Sequence, residues 1–423
     1  MNLSGAAHLE VLAERLSVKD VPDSLSVPIH LRCLKLGGSI ENSSTHHLDF
    51  IVPRLTHLNC LYWQLDFVPD NFYCFSASSQ LKSVHLLADI FSSASSDEDE
   101  DEDEDSWIAP TVANNRILAF TNLTHFSLKS EDLPYGIGDH LGLLTSLLQS
   151  SPNLESIILD IQGTTHSERT YSPTSILKSL GDQFVLPHLH TLHMLGDTDP
   201  DWFGFVTKPT HHLRAFLARN TSIRDLAIGC PLEDVSGGEM DPDDLSQLLP
   251  SVKRLACPFF LCEAVVTSEL ASRLESLVIT NQEFYEDNPL GSVAEAMGED
   301  TLPNLRKLAI WADMSNLGIG ELRAFVSAAR ELEELEVRIE VEDYKEFLSA
   351  LSGAENIRRI KMNKPGLGAS VTEWETLMVE LAETCPRLEV VTTHEEGGLW
   401  KVVRAVKLDK PSIVKVDFYA SAS

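Results

Sequence analysis

The sequence is poor in basic residues, and this shortage limits the kinds of partner that suit it. Lysine and arginine total 33 of the 423 residues, against 64 aspartates and glutamates, so the formal net charge is −31. A surface of that sign repels phosphate groups. We therefore expect no nucleic-acid partner and no binding to anionic membranes, and we expect a monomer.

Cysteine pairs and long apolar runs are also missing. The seven cysteines are odd in number and none is spaced as Cys-x-x-Cys, which argues against a disulfide scaffold or a structural zinc site and fits a reducing compartment. No window approaches the roughly 18 uninterrupted apolar residues of a membrane span. The segment 1–16 has no basic region typical of a signal peptide. We expect a cytoplasmic or nuclear protein.

Motifs of catalysis and phosphate binding are absent from the sequence. The patterns GxGxxG, GxxxxGK[ST], GxSxG and HExxH do not occur. Histidines cluster at His188, His190 and His193, but positions 190 and 193 point to opposite faces of a strand because their separation is odd. The sequence therefore predicts no catalytic residue, no cofactor and no metal site. An uncharacterised enzyme in an α/β fold is the alternative.

One pattern recurs from end to end, L-x-x-L-x-L, with Ile, Val, Phe, Met or Cys allowed for Leu. It occurs fourteen times at a mean spacing of about 29 residues. Several copies follow a lead-in with proline, as in SPNLESI and LPNLRKL, where proline stops a preceding helix. The copies begin at Leu31, Leu55, Leu81, Leu123, Leu154, Leu189, Ile223, Val252, Leu274, Leu305, Leu332, Ile357, Leu388 and Ile413.

Segments with helical spacing lie between the copies. In one of them Leu322, Phe325, Val326 and Ala329 form a single apolar stripe. Each repeat is thus a strand, a turn and a helix, which bury their apolar sides only by stacking on the next repeat. The alternative is a helical repeat or an ordinary α/β domain, but strands such as SIILDI and SLVITN are rich in β-branched residues. The helical segments span 139–151, 243–250, 320–334, 341–353 and 371–385.

This unit resembles a leucine-rich repeat of the long, helix-containing type. The irregular lengths and the lead-ins resemble the arrays of F-box proteins, especially the diverged fungal ones, over roughly residues 30–420. The resemblance implies an α/β, ribonuclease-inhibitor-like solenoid or horseshoe, with a parallel sheet on the concave face and helices on the convex face. It also implies a non-catalytic protein-interaction scaffold, and more specifically the substrate-recognition part of an F-box-type ubiquitin ligase.

Two features depart from that family. The ninth position of each unit, usually Asn or Cys, is neither in any of the fourteen copies, so other groups must satisfy the turns. Residues 1–29 show no recognisable F-box, which leaves binding of the ligase adaptor in doubt, and we interpret them as an N-terminal capping segment before an array over 30–420.

An acidic insertion interrupts the array at about 92–110. A run of nine like charges stays solvated, so we expect a disordered loop that aids solubility. The alternative is an interaction tail, or a chaperone activity, for basic proteins. The run consists of Asp97, Glu98, Asp99, Glu100, Asp101, Glu102, Asp103, Glu104 and Asp105.

The candidate binding surface is the concave face. Alternate side chains of a strand face opposite sides, so the third, fifth and seventh positions of each copy should face it. Four of them, Trp311, Arg338, Lys361 and His394, are predicted to bind a protein partner, because tryptophan beside basic residues is typical of interface hot spots. The alternative is that neighbouring strands only pair their charges laterally. The predicted face also includes His57, Asn59, Ser83, His85, His125, Ser127, Lys129, Thr191, His193, Arg254, Lys307, Glu334, Glu336, Arg359, Asn363, Thr392, Lys415, Asp417 and Tyr419.

Overall fold

A computed structural model gives the fold of most of the chain. It describes residues 1–17, 30–87, 118–130, 137–161, 172–196, 198, 200–229, 239–280, 290–311, 318–337, 344–363, 371–393, 399–403 and 412–416. None of the helices among these residues is long and apolar enough to cross a membrane.

Sixteen strands are present in the described residues. They are β1 (Asn2–Gly5), β2 (Cys33–Ser39), β3 (Cys60–Trp63), β4 (Ser83–Leu86), β5 (His125–Ser130), β6 (Ser156–Ile161), β7 (Thr191–Gly196), β8 (Asp225–Ile228), β9 (Arg254–Cys257), β10 (Ser276–Thr280), β11 (Lys307–Trp311), β12 (Glu334–Val337), β13 (Arg359–Met362), β14 (Val390–Thr393), β15 (Leu399–Val403) and β16 (Ser412–Val416).

Thirteen α-helices alternate with these strands, together with short 3₁₀ turns. They are α1 (Ala6–Ser17), α2 (Leu48–Ile51), α3 (Tyr73–Ser76), α4 (Ile137–Gln149), α5 (Pro173–Leu180), α6 (Trp202–Thr207), α7 (His212–Arg219), α8 (Pro242–Leu248), α9 (Cys262–Thr267), α10 (Gly291–Ala296), α11 (Ile319–Ala328), α12 (Tyr344–Ala350) and α13 (Val371–Thr384). The five helical segments predicted from sequence correspond to α4, α8, α11, α12 and α13.

The chain forms two compact units. Unit 1 consists of Met1–Asp201 and Thr210–Ile223, and unit 2 of Trp202–Pro209 and Arg224–Ser423. In unit 1, strands β1–β7 pair in chain order and all are parallel. In unit 2, strands β8–β14 pair in the same way. An α/β solenoid with an open parallel sheet, as the repeat predicts, is therefore confirmed.

The apolar positions of the repeat form continuous buried rows. Along β2–β7 and β8–β14, one buried residue of each repeat pairs in register with its counterpart in the next repeat, and every member is at most 4% exposed. This residue is the fourth position of its copy, except for Leu61, whose copy is in a different register, as described below. Leucine and β-branched residues suit these positions because both fill a sheet surface packed against helices. In unit 1 the row is Leu34, Leu61, Val84, Phe126, Ile157 and Leu192, and in unit 2 it is Leu226, Leu255, Leu277, Leu308, Leu335, Ile360 and Val391.

Local sequence signals explain where the helices begin. In α8, Asp241 precedes Pro242, and its Oδ1 accepts a hydrogen bond from the Asp243 backbone N–H at 2.8 Å. A capping carboxylate, proline at the first helical position and acidic residues in the first turn all favour a helix start. Ser172 and Pro173 start α5 in the same way.

One repeat has a different register from the one predicted. The copy assigned to Leu55 begins at Leu58, because Cys60 pairs with Cys33 and Trp63 with Leu36. Trp63 is therefore buried in the position that the prediction gave to Cys60. The Trp63 Nε1 donates a hydrogen bond to the Phe67 carbonyl at 3.0 Å. His57 and Asn59 consequently lie before the strand, and Cys60 and Tyr62 take the positions predicted for them.

The two ends of the strand order also differ from expectation. Strand β1 lies within the segment interpreted as a cap and pairs in parallel with β2. At the other end β14, β15 and β16 are antiparallel, so the predicted last strand at Ile413 is a hairpin strand and not another leucine-rich repeat. Of these, β1 and β15 carry no L-x-x-L-x-L motif.

Polar side chains in the lead-ins connect successive repeats. Asn304, just before the first leucine of its repeat, donates to the Ser272 carbonyl of the preceding repeat at 2.7 Å. Asn356 occupies the same place in its own repeat and donates to the Arg330 carbonyl at 2.9 Å. The turns are thus bridged by residues before the motif, in place of the missing ninth-position asparagine.

Asn220, at the end of α7, makes a buried connection of this kind. It is 2% exposed. Its Oδ1 accepts from the Leu186 backbone N–H at 2.8 Å, and its Nδ2 donates to the Phe216 carbonyl at 2.8 Å. One side chain therefore closes a helix end and holds the neighbouring turn.

Candidate protein-binding face

Strand residues between the buried rows are mostly partly or fully exposed. In β12, for example, Glu334 and Glu336 are partly exposed while Leu335 and Val337 are buried. The same alternation holds in β3, β6 and β14. We call this side of the sheet the uncovered face. It is the surface on which the sequence placed a binding site.

Lateral ion pairs dominate the uncovered face of unit 2. Arg359 Nη1 lies 2.7 Å from Glu334 Oε1, and Lys361 Nζ lies 2.9 Å from Glu336 Oε1. Both pairs join residues that are in register on β12 and β13. The structure therefore shows the lateral pairing that the sequence left open, and Lys361 is engaged within its own sheet.

Lys307 stands beside these pairs on β11. It is exposed, and no carboxylate oxygen of the described residues lies within 4.0 Å of its Nζ. Its in-register neighbour Glu334 turns instead to Arg359. A depression of about 480 Å³, open to solvent, runs along β11–β14, and its charged lining residues are Lys307, Glu334, Glu336, Arg359 and Lys361.

Trp311 ends the same strand. It is partly exposed, and it pairs in register with Thr280 of β10. Trp311 and Lys307 thus lie at the two ends of β11. Of the other predicted contacts, Arg338 and His394 lie outside the described residues, as does the acidic run 97–105, and their roles stay predictions.

A row of alternating charge runs along the starts of the strands in unit 2. Lys253 Nζ lies 2.6 Å from Glu275 Oε1. Glu333 lies between two arginines, with oxygens 3.9 Å from Arg306 Nη1 and 4.0 Å from Arg358 Nε. We call these second positions of the motif the alternating row. Its members are Lys253, Glu275, Arg306, Glu333, Arg358 and Glu389.

The alternating row shifts the ionisation of one of its carboxylates. The hydrogen bond from Lys253 lowers the pKa of Glu275 below its ordinary value, and Arg306 adds to this attraction. Exposed pairs of this kind contribute little each, about 0–1 kcal/mol. Because each repeat supplies one charge, these pairs favour the observed alignment of neighbouring repeats more than they raise the free energy of unfolding.

The uncovered face of unit 1 carries aromatic and sulfur groups. The rings of Tyr62 and His85 stack with centroids 4.2 Å apart and planes 5° apart. Burial lowers the pKa of His85, and the nearby His125 adds to this effect. Burial and a hydrogen bond with Cys33 raise the pKa of Cys60 to about 11, so this thiol is a poor nucleophile.

Metal binding has no support in the part of the chain that the structure describes. Within it, no three side chains of His, Cys, Asp or Glu are grouped to hold a metal ion. Cys257 and Cys262, which flank the sequence PFFL, are buried. Their burial agrees with the role in the core that small apolar side chains usually have.

Comparison with known proteins gives little beyond the fold. No protein-family model matches the chain, and no curated protein matches its sequence. Among solved structures, the crystal structure of the Rad7 and Elc1 complex in yeast is similar over 94% of this chain and 76% of that chain, with 12% identity and a TM-score of 0.42.

Proposed function

We propose that this protein is a protein-interaction scaffold whose uncovered face binds another protein. The observation that carries the proposal is the surface along β11–β14, where Lys307 lines a depression together with paired charges and Trp311 lies partly exposed at the other end of β11. Tryptophan is among the residues most often found as anchors of protein interfaces. The uncovered face has room for a partner because the helices occupy the other side of the sheet.

Lys307 and Trp311 are the anchors in this proposal, and Lys361 has a lesser role. Lys361 is already held by Glu336 within the sheet, so a partner gains less from contacting it. Lys307 has no such neighbour among the described residues, and its charge is available to a carboxylate of the partner. Among the residues predicted from sequence, Trp311 is therefore the main anchor in this proposal.

The first prediction concerns Trp311. Replacing Trp311 by Ala should weaken partner binding by about 2 kcal/mol or more, roughly thirtyfold in Kd, because the largest apolar contact is lost. Lys307→Glu should weaken it as well. The measurement is affinity purification of the tagged full chain from its native cells, followed by mass spectrometry and titration of the recovered partner.

The matched control is Lys208→Glu, which makes the same charge change at an exposed residue of unit 2 away from the sheet. It should recover the wild-type set of partners. If Trp311→Ala and Lys307→Glu both recover that set at wild-type affinity while melting normally, the uncovered face of unit 2 is not the binding surface.

A finer proposal follows from the resemblance of the lead-ins to F-box arrays. The partner would then be the substrate of a ubiquitin ligase, and the chain its recognition subunit. Co-purification of a ligase adaptor and a cullin would support this role. Recovery of other partners without either would leave a free-standing recognition scaffold.

A further inference from the structure

Strands β2–β5 of unit 1 contain no acidic residue. This holds for residues 31–39, 58–64, 81–87 and 123–130, and the next acidic residue along the sequence is Glu131, directly after β5. In the whole chain 64 of 423 residues are acidic, about one in seven. Four segments of this combined length would ordinarily contain several acidic residues. Four adjacent strands therefore form a carboxylate-free surface in an otherwise strongly acidic protein.

Two lysines lie on the uncovered face of these strands, Lys129, which is exposed, and Lys35, which is partly exposed. Arg32 and Lys82, both exposed, hold the second positions of their repeats, before the strands begin, and Lys82 Nζ donates to the Asn122 carbonyl at 3.1 Å. Among the described residues, the one carboxylate within reach of these four cations is that of Asp160 on β6, at 4.0 Å from Lys129 Nζ. Lys35 thus has no carboxylate neighbour in the described part of the chain, and Lys129 has one at the limit of ion-pair distance.

An aromatic platform lies between the cations. Lys35, Tyr62 and His85 are in register on β2, β3 and β4, and the Tyr62 and His85 rings stack flat against each other. Ser83 Oγ lies 2.8 Å from His85 Nε2 and fixes the orientation of the imidazole. On β5, His125 Nδ1 is hydrogen-bonded to Thr124 Oγ1 at 2.9 Å.

We propose that the uncovered face of β2–β5 binds an acidic peptide segment of a partner protein. Lys35 and Lys129 are its outer contacts, and the stacked rings of Tyr62 and His85 form the floor between them. The inference deepens the proposed function by giving unit 1 a partner of stated chemistry. It rests on a surface separate from the one assigned to unit 2.

The spacing of the cations defines the segment further. Ser127 of β5 is in line with His85, Tyr62 and Lys35, and Lys129 lies two residues further along the strand. Lys35 and Lys129 are therefore separated by about 14 Å across the sheet and about 7 Å along the strands, roughly 16 Å in all. In an extended peptide, residues i and i+4 are separated by about 13–14 Å and residues i and i+6 by about 20 Å. Acidic residues four to six apart in an extended segment therefore span the distance between the two lysines.

The test uses the full chain and a fluorescein-labelled peptide in which aspartate alternates with alanine, followed by fluorescence anisotropy. A peptide with asparagine in place of aspartate is the neutral control. The aspartate peptide should bind more tightly, and its affinity should decrease as salt is added because the contacts are ionic. Combined Lys35→Glu and Lys129→Glu should weaken binding at least tenfold.

The matched control is Lys178→Glu, an exposed lysine on α5 of the same unit, which should change the affinity less than twofold. Combined Lys35→Gln and Lys129→Gln guards against misfolding, and should also lose binding while keeping the wild-type Tm. Equal binding of the two peptides, or equal loss in Lys178→Glu, would overturn the inference.

The acidic run 97–105 of the chain itself is the competing occupant. A chain with this run changed to asparagine and glutamine should bind the aspartate peptide as the wild type does. If the peptide binds only to that altered chain, the assignment to a partner protein is overturned. Partner capture through Trp311 is a separate readout, so failure of the scaffold proposal and failure of this inference are distinguishable.

Discussion

Gly196 ends β7 at a point where no side chain fits. Its φ is +92°, and a Cβ built there would lie within van der Waals overlap of the Ile161 carbonyl oxygen on β6. The close approach follows from the register, since Ile161 and Gly196 are paired. Glycine is required here for both reasons, the backbone conformation and the contact.

Gly196→Ala should therefore destabilise the protein by about 2–4 kcal/mol, because the backbone of β6 or β7 must shift. Thermal unfolding followed by circular dichroism measures the loss. Gly142 is the control in the same unit: it lies within α4, and a Cβ added there would meet no other atom within 4 Å. Gly142→Ala should raise stability by up to about 1 kcal/mol. A Gly196→Ala variant as stable as Gly142→Ala would contradict the assigned register.

Asn220 illustrates a buried polar group that the fold depends on. Asn220→Ala removes the partner of the Leu186 N–H and one of the two donors to the Phe216 carbonyl, which keeps the Asn220 backbone N–H, so we expect a loss of about 1–3 kcal/mol. Asn304→Ala, which removes an exposed bond of similar length, should cost less because water replaces the lost partner. Urea denaturation of the two variants compares them, and an equal loss would contradict this account.

At the scale of the element, the apolar pattern of each repeat unit predicts its strand and its helix. Leu55, Leu58 and Leu61 are spaced three apart, so the motif can begin at Leu55 or at Leu58. The sequence does not decide between these two registers when Cys60 is counted as apolar. The larger Trp63 side chain decides the register, because burying an indole removes more apolar surface from water than burying a thiol.

The parallel strands and the helical segments were predictable. The antiparallel strands β15 and β16 were not, because they do not depend on the repeat.

The candidate site was less predictable than the fold. Strand alternation predicts that Trp311 and Lys361 lie on the side of the sheet away from the buried rows, and both side chains are partly exposed. Whether Lys361 pairs with Glu336 depends on side-chain rotamers across two strands, which the pattern does not specify. The lack of acidic residues in strands β2, β3, β4 and β5 is visible in the sequence, and a count of charged residues in each predicted strand would have shown it.

Within the alternating row, Glu275 provides a test by pH. Its folded-state pKa is lowered, so its contribution to stability is present above the ordinary carboxyl range and is lost as the pH decreases through the folded-state pKa. Lys253→Met should raise the titration midpoint of Glu275 towards its ordinary value, as followed by NMR of the side-chain carboxyl. Lys208→Met should leave that midpoint unchanged. An unchanged midpoint in Lys253→Met would show that the pair does not persist in solution.

At the scale of the whole molecule, charge is the dominant property. A net charge of −31 on 423 residues makes association between copies unfavourable. It also makes the carboxylate-free surface of unit 1 a local exception, where an acidic segment of another protein finds attraction.

We therefore expect a monomer. Light scattering coupled to size exclusion should give a mass near the 46.9 kDa of one chain, at both low and physiological salt. We expect a monomer because the copies repel each other electrostatically, and this repulsion is strongest at low salt. A dimer mass at low salt would contradict this expectation and would indicate a self-complementary surface.

The alternating row also constrains how the array can change in length. Because the sign at the second position reverses with each repeat from Lys253 to Glu389, removing or duplicating one repeat would set two like charges side by side. Removing or duplicating two repeats together would keep opposite signs adjacent. In this part of unit 2, insertions and deletions that survive selection should therefore come in even numbers of repeats.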